Sequence, residues 1–458
     1  MKNPPAVHTA LIGGIADEED RLPARPLQWL MLMIIAAFVG ALTGLVGVAF
    51  RITLIWADYR RNQMVLLVHT HFPVWLGWTI PTACCAAAAG LACWLTQRLA
   101  PQTAGSGIPR VESVLRNHLR PAGLEILPVK FFGGALGIGG GLALGREGPT
   151  VQMGGTIGRL ISDFLSKVVP EPWTFIAAGA GAGLAVAFNA PLAAALFVVE
   201  ELLHRFSTRV FSATLVACIT GTVVLRHFMG NTFDFGAPAI KLLPSRVLPE
   251  YLLLGLLAGL VGVAFNQTLL ATLRMFDRAR SWPRGCKGAA VGAAAGLLAY
   301  FNPFVIGGGE NIGELAIAGH IALSTALWIL IVRFALTMLS YGSGAPGGIF
   351  APLLALGGIF GQGFVGLWAI MGHPLPEPSA FAIVSMAACF TAIIRSPLTG
   401  VVLMLEMTGS WTLILPMLAA CVLAYAVPEL LGNPPIYDSL RQRDEIVEHQ
   451  QQRDAGSD

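Results

Sequence analysis

From Thr174 to Val199 the chain carries no charged residue, and between Ser396 and Pro428 the only charge is Glu406. A helix needs about 20 apolar residues to cross a bilayer, and both stretches are long enough. A window of about that length finds roughly ten to twelve such candidates along the chain. Only 12% of the 458 residues are charged, against about 25% in an ordinary soluble domain. A soluble protein would have to bury all of these helices in one core, which a composition of this kind disfavours. The expected fold class is an all-α polytopic membrane protein.

The formal net charge is +3, and no basic cluster points to a nucleic-acid partner. Seven cysteines (Cys84, Cys85, Cys93, Cys218, Cys286, Cys389 and Cys421) lie mostly in apolar stretches. Their number is odd and their spacing is not that of a metal site, so they read as small core residues without a disulfide framework. Residues 1–26 are mixed in charge, with Asp17, Glu18, Glu19 and Asp20 in a run, and do not read as a signal peptide. The apolar stretch from Trp29 to Phe50 is therefore expected to remain as a spanning helix. The tail after Tyr437 is polar and short, too small for an appended regulatory domain.

Many of the 53 glycines and 29 prolines fall inside the apolar region. Simple spanning helices do not need them there, but broken helices do. Irregular backbone at membrane depth is tolerated where protein buries it or where it lines a cavity, and transporters use such breaks to aim helix ends at an ion.

An internal repeat supports broken helices. Pro149 precedes Gly154-Gly155 and Gly158 as Pro352 precedes Gly357-Gly358 and Gly361. Glu200 follows Pro191 by nine residues, and Glu406 follows Pro397 by nine. Gly107 lies 42 residues before Pro149, and Gly309 lies 43 before Pro352. Small-residue helix packing is the alternative source of such glycines, but it does not account for three landmarks in one order. The membrane region is expected to divide into halves at 27–230 and 250–435, joined by a linker at 231–249. Residues 1–26 and 436–458 flank them as cytoplasmic segments. Spacing alone leaves open whether the repeats are parallel or inverted.

Four constellations are candidates for chemistry. Gly105-Ser106-Gly107-Ile108-Pro109 places Gly-rich backbone before a helix start. A helix N-terminus carries about half a positive charge and free N–H groups, a ready anion site. Ser106 adds a neutral donor, suited to an anion that must bind and then leave; it fits an ordinary N-cap equally well. Gly145-Arg146-Glu147-Gly148-Pro149 sets two charges in a region otherwise uncharged from Phe131 to Gly158. Charge at the bilayer centre costs about 2.5–3.5 kcal/mol on insertion scales. Pro149 suits a first helical turn, so Glu147 lies at a helix N-terminus, where a carboxylate can occupy an anion's place until protonation releases it. The alternative is a plain Arg–Glu or helix-dipole pairing.

The third, Ser343 to Pro352, is uncharged, and its ligands would be backbone N–H groups; in isolation it also reads as a turn between packed helices. The fourth, Glu200-Glu201, closes an apolar run. Adjacent acids at a helix end are commonly a solvated terminus, and His204 and Arg205 follow within reach as partners.

Taken together these residues resemble the CLC family of chloride channels and transporters. The family's motifs GSGIP, GREGP and GIFAP stand verbatim at 105–109, 145–149 and 348–352. Phe188 to Glu201, Arg395 to Glu406, and Pro435-Ile436-Tyr437 are also similar to the family, and the likeness covers about residues 30–440. The resemblance implies a homodimer in the lipid bilayer of a bacterial inner membrane, each subunit with its own pathway. It implies two inverted repeats of tilted, broken helices. By motif, chloride is held by the hydroxyls of Ser106 and Tyr437 and the amides of Ile349 and Phe350, with the amides near Gly148 serving a more external position. Glu147 is then the external gate and proton acceptor, and Glu201 the internal proton-transfer residue found in exchangers and generally absent from channels.

Two departures stand out. Leu203-His204-Arg205 replaces the relatives' Arg-Pro-Gln, and Arg110 stands where relatives often carry an acid.

The expected function is exchange of chloride for protons, with a passive chloride channel as the alternative. Fluoride-specific relatives depart from GSGIP and GREGP, and nitrate-type members resemble GPGIP. No metalloprotease, nucleophile-elbow or phosphate-loop motif suggests an enzyme. Gly137 to Gly141 and Gly179 to Gly183 only superficially resemble a dinucleotide loop, and His69 and His71 are too few for a metal site. Neither a cofactor nor a metal is expected.

Overall fold

The first helix does not stop where its hydrophobic run ends. Helix α1 spans Pro26–His71, 46 residues, or about 69 Å at 1.5 Å per residue. It contains the expected span Trp29–Phe50 and continues because residues 51–71 hold neither Gly nor Pro. Pro73 then stops it. The structure is a computed structural model that describes residues 26–455 except 122, 166–171, 239, 241–243, 280 and 320. Of the expected N-terminal segment, all but Pro26 lies outside the described residues.

Seven more helices complete the first half: α2 (Thr79–Leu99), α3 (Ile108–Leu115), α4 (Ile126–Gly139), α5 (Glu147–Phe164), α6 (Pro172–Phe188), α7 (Pro191–Phe197, extended by a π-helical turn over Val198–Leu203) and α8 (Thr208–Met229). The second half holds α9 (Leu248–Arg278), α10 (Cys286–Phe301), α11 (Glu310–Ala318), α12 (Leu323–Gly342), α13 (Phe350–Ile370), α14 (Pro378–Ile394), α15 (Pro397–Thr408) and α16 (Ile414–Leu430). Helix α17 (Ile436–Ala455) closes the chain.

Among the described residues, seven helical segments are long and apolar enough to cross a membrane, and five shorter apolar helices accompany them. Leu30, Ile34, Phe38, Ile52 and Ile55 of α1 are exposed, an outer surface suited to lipid. The protein is a multi-pass membrane protein.

The halves match helix for helix, α1–α8 against α9–α16. In both, the fifth helix packs on the sixth, and the first on the eighth. Gly107 (φ 83°) and Gly309 (φ 96°) cap the third helix of each half in the left-handed region, which favours glycine.

Their relative direction is fixed by two acids. Glu200, just beyond α7, accepts from the N–H groups of Leu398 (3.2 Å) and Thr399 (2.9 Å) at the start of α15. Glu406, near the end of α15, accepts from Leu192 (3.1 Å) and Ala193 (2.8 Å) at the start of α7. Each helix end caps the other's beginning, so the two equivalent helices run antiparallel. The repeats are inverted, which sequence spacing had left open.

The core lies between the halves. Helix α14 is buried at every position from Ser379 to Ile394. Along α5 and α6, Gly154, Gly158, Gly179 and Gly183 bring the backbones so close that a Cβ at any of them would collide with facing main chain. The run Gly179 to Gly183 is therefore helix packing, as small residues provide in membranes. All seven cysteines are free, five of them buried.

Candidate functional site

The three motif loops, scattered over more than 240 residues of sequence, meet at one place. The amide of Gly347 donates to the carbonyl of Gly105 (3.0 Å), and Gly145 and Gly348 exchange two backbone hydrogen bonds of 2.8 Å. This lacing converges the N-termini of α3, α5 and α13, and their partial positive charges, on one buried volume.

Glu147 opens α5 and is fully buried. Its Oε1 accepts a hydrogen bond of 2.6 Å from the N–H of Phe350, the first residue of α13. The N–H of Ala351 also faces it. A carboxylate from the first repeat thus sits on the helix start of the second. The simple Arg–Glu pairing does not form. Arg146 turns away and donates from Nε to the Ala187 carbonyl (2.8 Å), pairs with Asp234 (3.1 Å), and forms an ion pair with Glu310. Arg51 reaches the same Asp234 at 2.9 Å.

Next to this carboxylate are two hydroxyls. Ser106 and Tyr437 are 1% and 0% exposed, and their hydroxyls face each other with no other protein hydrogen-bond partner. Leaving a buried polar group unsatisfied costs about 1–3 kcal/mol, so the pair points to a ligand. Tyr437 also lies within electrostatic range of Glu147. The apolar wall is Phe350, whose ring packs against those of Tyr437 (5.8 Å), Phe390 (4.9 Å), Phe197 (5.3 Å) and Phe188 (6.0 Å). Gly148 packs against Ser106 so tightly that a Cβ would strike the serine backbone and hydroxyl. The candidate residues Ser106, Glu147, Gly148, Ile349, Phe350 and Tyr437 are thus brought together.

Tyr437 comes from the first turn of α17, more than 300 residues from Ser106, and an ion-pair network holds that helix against α3. Arg441 pairs with Glu112 (3.0 Å) and Arg110 with Glu448 (2.7 Å), while Ser113 and His118 both bond Glu445. Arg110 is therefore a tether between helices. Glu112, His204 and Asp438 approach one another closely enough to suggest a metal cluster. Arg441, however, pairs with both Glu112 and Asp438, so a guanidinium already supplies the positive charge.

Glu201 lies away from this cluster of loops. The pair Glu200-Glu201 is not a solvated helix end. Glu200 caps α15, and Glu201 is 4% exposed with its Oε2 accepting from the Ser396 hydroxyl at 2.8 Å. The π-helical turn over Val198–Leu203 places both acids; such turns are frequent at functional sites. His204, a possible side-chain partner of the two acids, turns elsewhere. The Nδ1 of His204 bonds the Glu200 carbonyl (2.8 Å), and its Nε2 faces Glu112 at 3.6 Å.

Sequence reasoning missed Lys130. It is fully buried in α4 and donates to the carbonyls of Thr103 (2.9 Å) and Gly105 (2.8 Å), pinning the loop that carries Ser106. A lone lysine inside the apolar run Ile126–Gly139 was the available signal.

Inverted halves, broken helices and a buried site where their helix starts meet define the architecture of a secondary transporter. The chain belongs to the voltage gated chloride channel (CLC) family, whose sequence model matches residues 86–429. It is 40% identical over 438 residues to the H(+)/Cl(-) exchange transporter ClcA of Salmonella paratyphi A, covering 93% of this chain and 91% of that protein. Its structure is similar to that of a slow cyanobacterial Cl-/H+ antiporter, with a TM-score of 0.85 and 34% identity over 91% of this chain and 98% of the other. A CLC-type fluoride/proton antiporter, 23% identical, shares the fold with a TM-score of 0.75 over 90% and 98% of the two chains.

Proposed function

We propose that the protein is a secondary antiporter that exchanges chloride for protons. The relatives named above are exchangers, and the local geometry supports the same chemistry. The observation that carries the reading is the 2.6 Å bond from the Phe350 amide to Glu147. A carboxylate and a chloride ion are competing anions for one amide. Ionised Glu147 holds the site and closes the path. Protonation removes its charge, weakens its hold and lets an anion take its place. Each gating cycle therefore moves a proton as well as an anion.

In this reading chloride lies between the hydroxyls of Ser106 and Tyr437 and the amides of Ile349 and Phe350, with a more external position near the Gly148 amide. All of these donors are neutral, so the ion is bound without being trapped. Glu201 supplies protons from the inner side. A passive channel has no use for a buried inner acid, so Glu201 on Ser396 favours exchange.

The inner side is assigned from charge. Helices α8 and α9 cross from the Glu201 end to the linker and back, so the end of α9 at Arg278 and the start of α10 at Cys286 return to that end. The segments at that end carry Arg205, Arg209, Arg274, Arg278, Arg284 and Lys287, a bias that the positive-inside rule associates with a cytoplasmic face. The chain then divides into halves at 27–230 and 250–435, with linker 231–249 outside and both termini inside, in a bacterial inner membrane. Exposed Leu192, Ile219, Val223, Leu398, Leu415 and Val422 on α7, α8, α15 and α16 form an apolar face that a second copy would cover in a homodimer.

The test is simultaneous chloride and proton flux in proteoliposomes of the purified protein. An exchanger drives protons uphill when only a chloride gradient is imposed. Chloride movement without uphill proton movement would replace this reading with the channel.

A further inference from the structure

We propose that His204 is the inner proton-loading residue: it takes protons from the cytoplasmic solution and delivers them to the cavity that Glu201 lines. The proposal rests on the exchange reading above and identifies the group that feeds its inner acid.

Immediately after the π-helical turn, His204 adopts φ 51°, in the left-handed region that a non-glycine residue seldom takes. That conformation bends the chain so that Nδ1 meets the Glu200 carbonyl at 2.8 Å. A carbonyl only accepts, so Nδ1 carries a hydrogen, and Nε2 is left as the atom that gains and loses a proton. Nε2 points at Glu112, 3.6 Å away. The imidazole is 37% exposed while Glu112 is 1% exposed, so the ring bridges solvent and interior. A cavity beside it is lined by Glu201, His204, Arg205, Arg395, Tyr425 and Asp438. Glu201 and His204 thus open onto the same space.

The charges around the ring are consistent with loading. Glu112 and Arg116 face it from α3, Asp438 and Arg441 from α17, and Glu200, Glu201 and Arg205 from its own segment. The Glu112 contact raises the imidazole above its ordinary range, which favours proton uptake from the cytoplasm. Glu112 itself is engaged by Arg116 (3.0 Å) and Arg441 (3.0 Å), so it acts as the fixed counter-charge and the proton moves on from Nε2 through the cavity. The balance is plain: hydrated proton to Nε2, imidazolium Nε2–H to the Glu201 carboxylate through water, and neutral imidazole regenerated.

The experiment is chloride-driven proton transport in proteoliposomes from about pH 5.5 to 8.5, comparing wild type with His204→Gln and His204→Ala. Chloride titration by calorimetry checks that the variants retain a folded anion site. A lost proton relay commonly costs tenfold or more, so both variants should slow coupled turnover by roughly tenfold at pH 8. They should recover toward wild type at pH 5.5, where protons reach Glu201 directly, and the exchange ratio should not change. Added imidazole should restore the His204→Ala rate at pH 8. A wild-type rate and pH profile in His204→Ala overturns the proposal, as does slowing that is equal at every pH and not rescued by imidazole. A wild-type protein that moves no protons overturns the exchange reading itself, and this proposal with it.

Discussion

Lys130 and Arg333 hold equivalent positions in the two repeats and make the same kind of contact. Lys130, in the fourth helix of the first half, bonds the carbonyls of Thr103 and Gly105, which precede the third helix. Arg333, in the fourth helix of the second half, bonds those of Val305 (3.2 Å), Gly307 (2.7 Å) and Gly308 (3.0 Å), again preceding the third. Both side chains are 0% exposed. In each half a buried basic side chain thus bonds the carbonyls of a glycine loop, although that of Gly105 also accepts from the Gly347 amide.

Replacing either side chain by methionine should destabilise the protein, because each carbonyl left without a partner, such as that of Thr103, costs about 1–3 kcal/mol. Lys130→Met should also impair chloride binding, since its loop carries Ser106, whereas Arg333→Met should lower stability with less effect on affinity. Thermal unfolding in detergent together with chloride calorimetry separates the two. Equal loss of affinity in both variants would contradict the assignment.

Glu200 and Glu406 make the second symmetric pair. Hydrogen bonds to a charged group contribute about 1.5–3 kcal/mol each, so Glu200→Ala and Glu406→Ala should each lower the unfolding midpoint. The two caps sit at opposite ends of α7 and α15, about 14 Å apart for nine residues at 1.5 Å per residue. Their effects should therefore add. A double variant no less stable than either single would show that the caps are not independent.

Ser106 and Tyr437 are predicted to set anion affinity and preference. Tyr437→Ala removes one hydroxyl donor, and about 1.5–3 kcal/mol corresponds to chloride binding weakened about tenfold or more. Calorimetric titration checks this, and unchanged affinity would remove Tyr437 from the site. Ser106→Pro deletes the second hydroxyl and reshapes the helix start, and should raise nitrate transport relative to chloride. Unchanged selectivity would count against Ser106 as a ligand.

Much of the site was legible because its parts are local. A glycine-rich break and a nearby proline mark a helix start wherever they occur, and Glu147 stands out as a charge in an apolar run. The repeat was legible from Pro149 and Pro352, but its inversion came only from the family resemblance, since direction depends on which of many short helices cross the membrane. Glu200 read as a solvated end because its partners, Leu398 and Thr399, lie almost 200 residues away. His204 read as a possible partner of the neighbouring acids, but the π-helical turn swings it toward Glu112 on another helix. Lys130 and Arg333 act on backbone carbonyls, which leave no mark in a side-chain pattern.

The central claim is that the Glu147 carboxylate and the transported anion compete for the amide of Phe350. It is tested most directly by measuring chloride and proton flux together, across pH, in Glu147→Gln and wild type. Glutamine is neutral at every pH and mimics the protonated gate. The variant should still pass chloride, move no protons, and lose most of the pH dependence of its chloride flux. Glu201→Gln should likewise stop protons while chloride flux persists, yet it should keep that pH dependence because its gate still titrates. Coupled proton transport in Glu147→Gln, or chloride flux with wild-type pH dependence, would contradict the account.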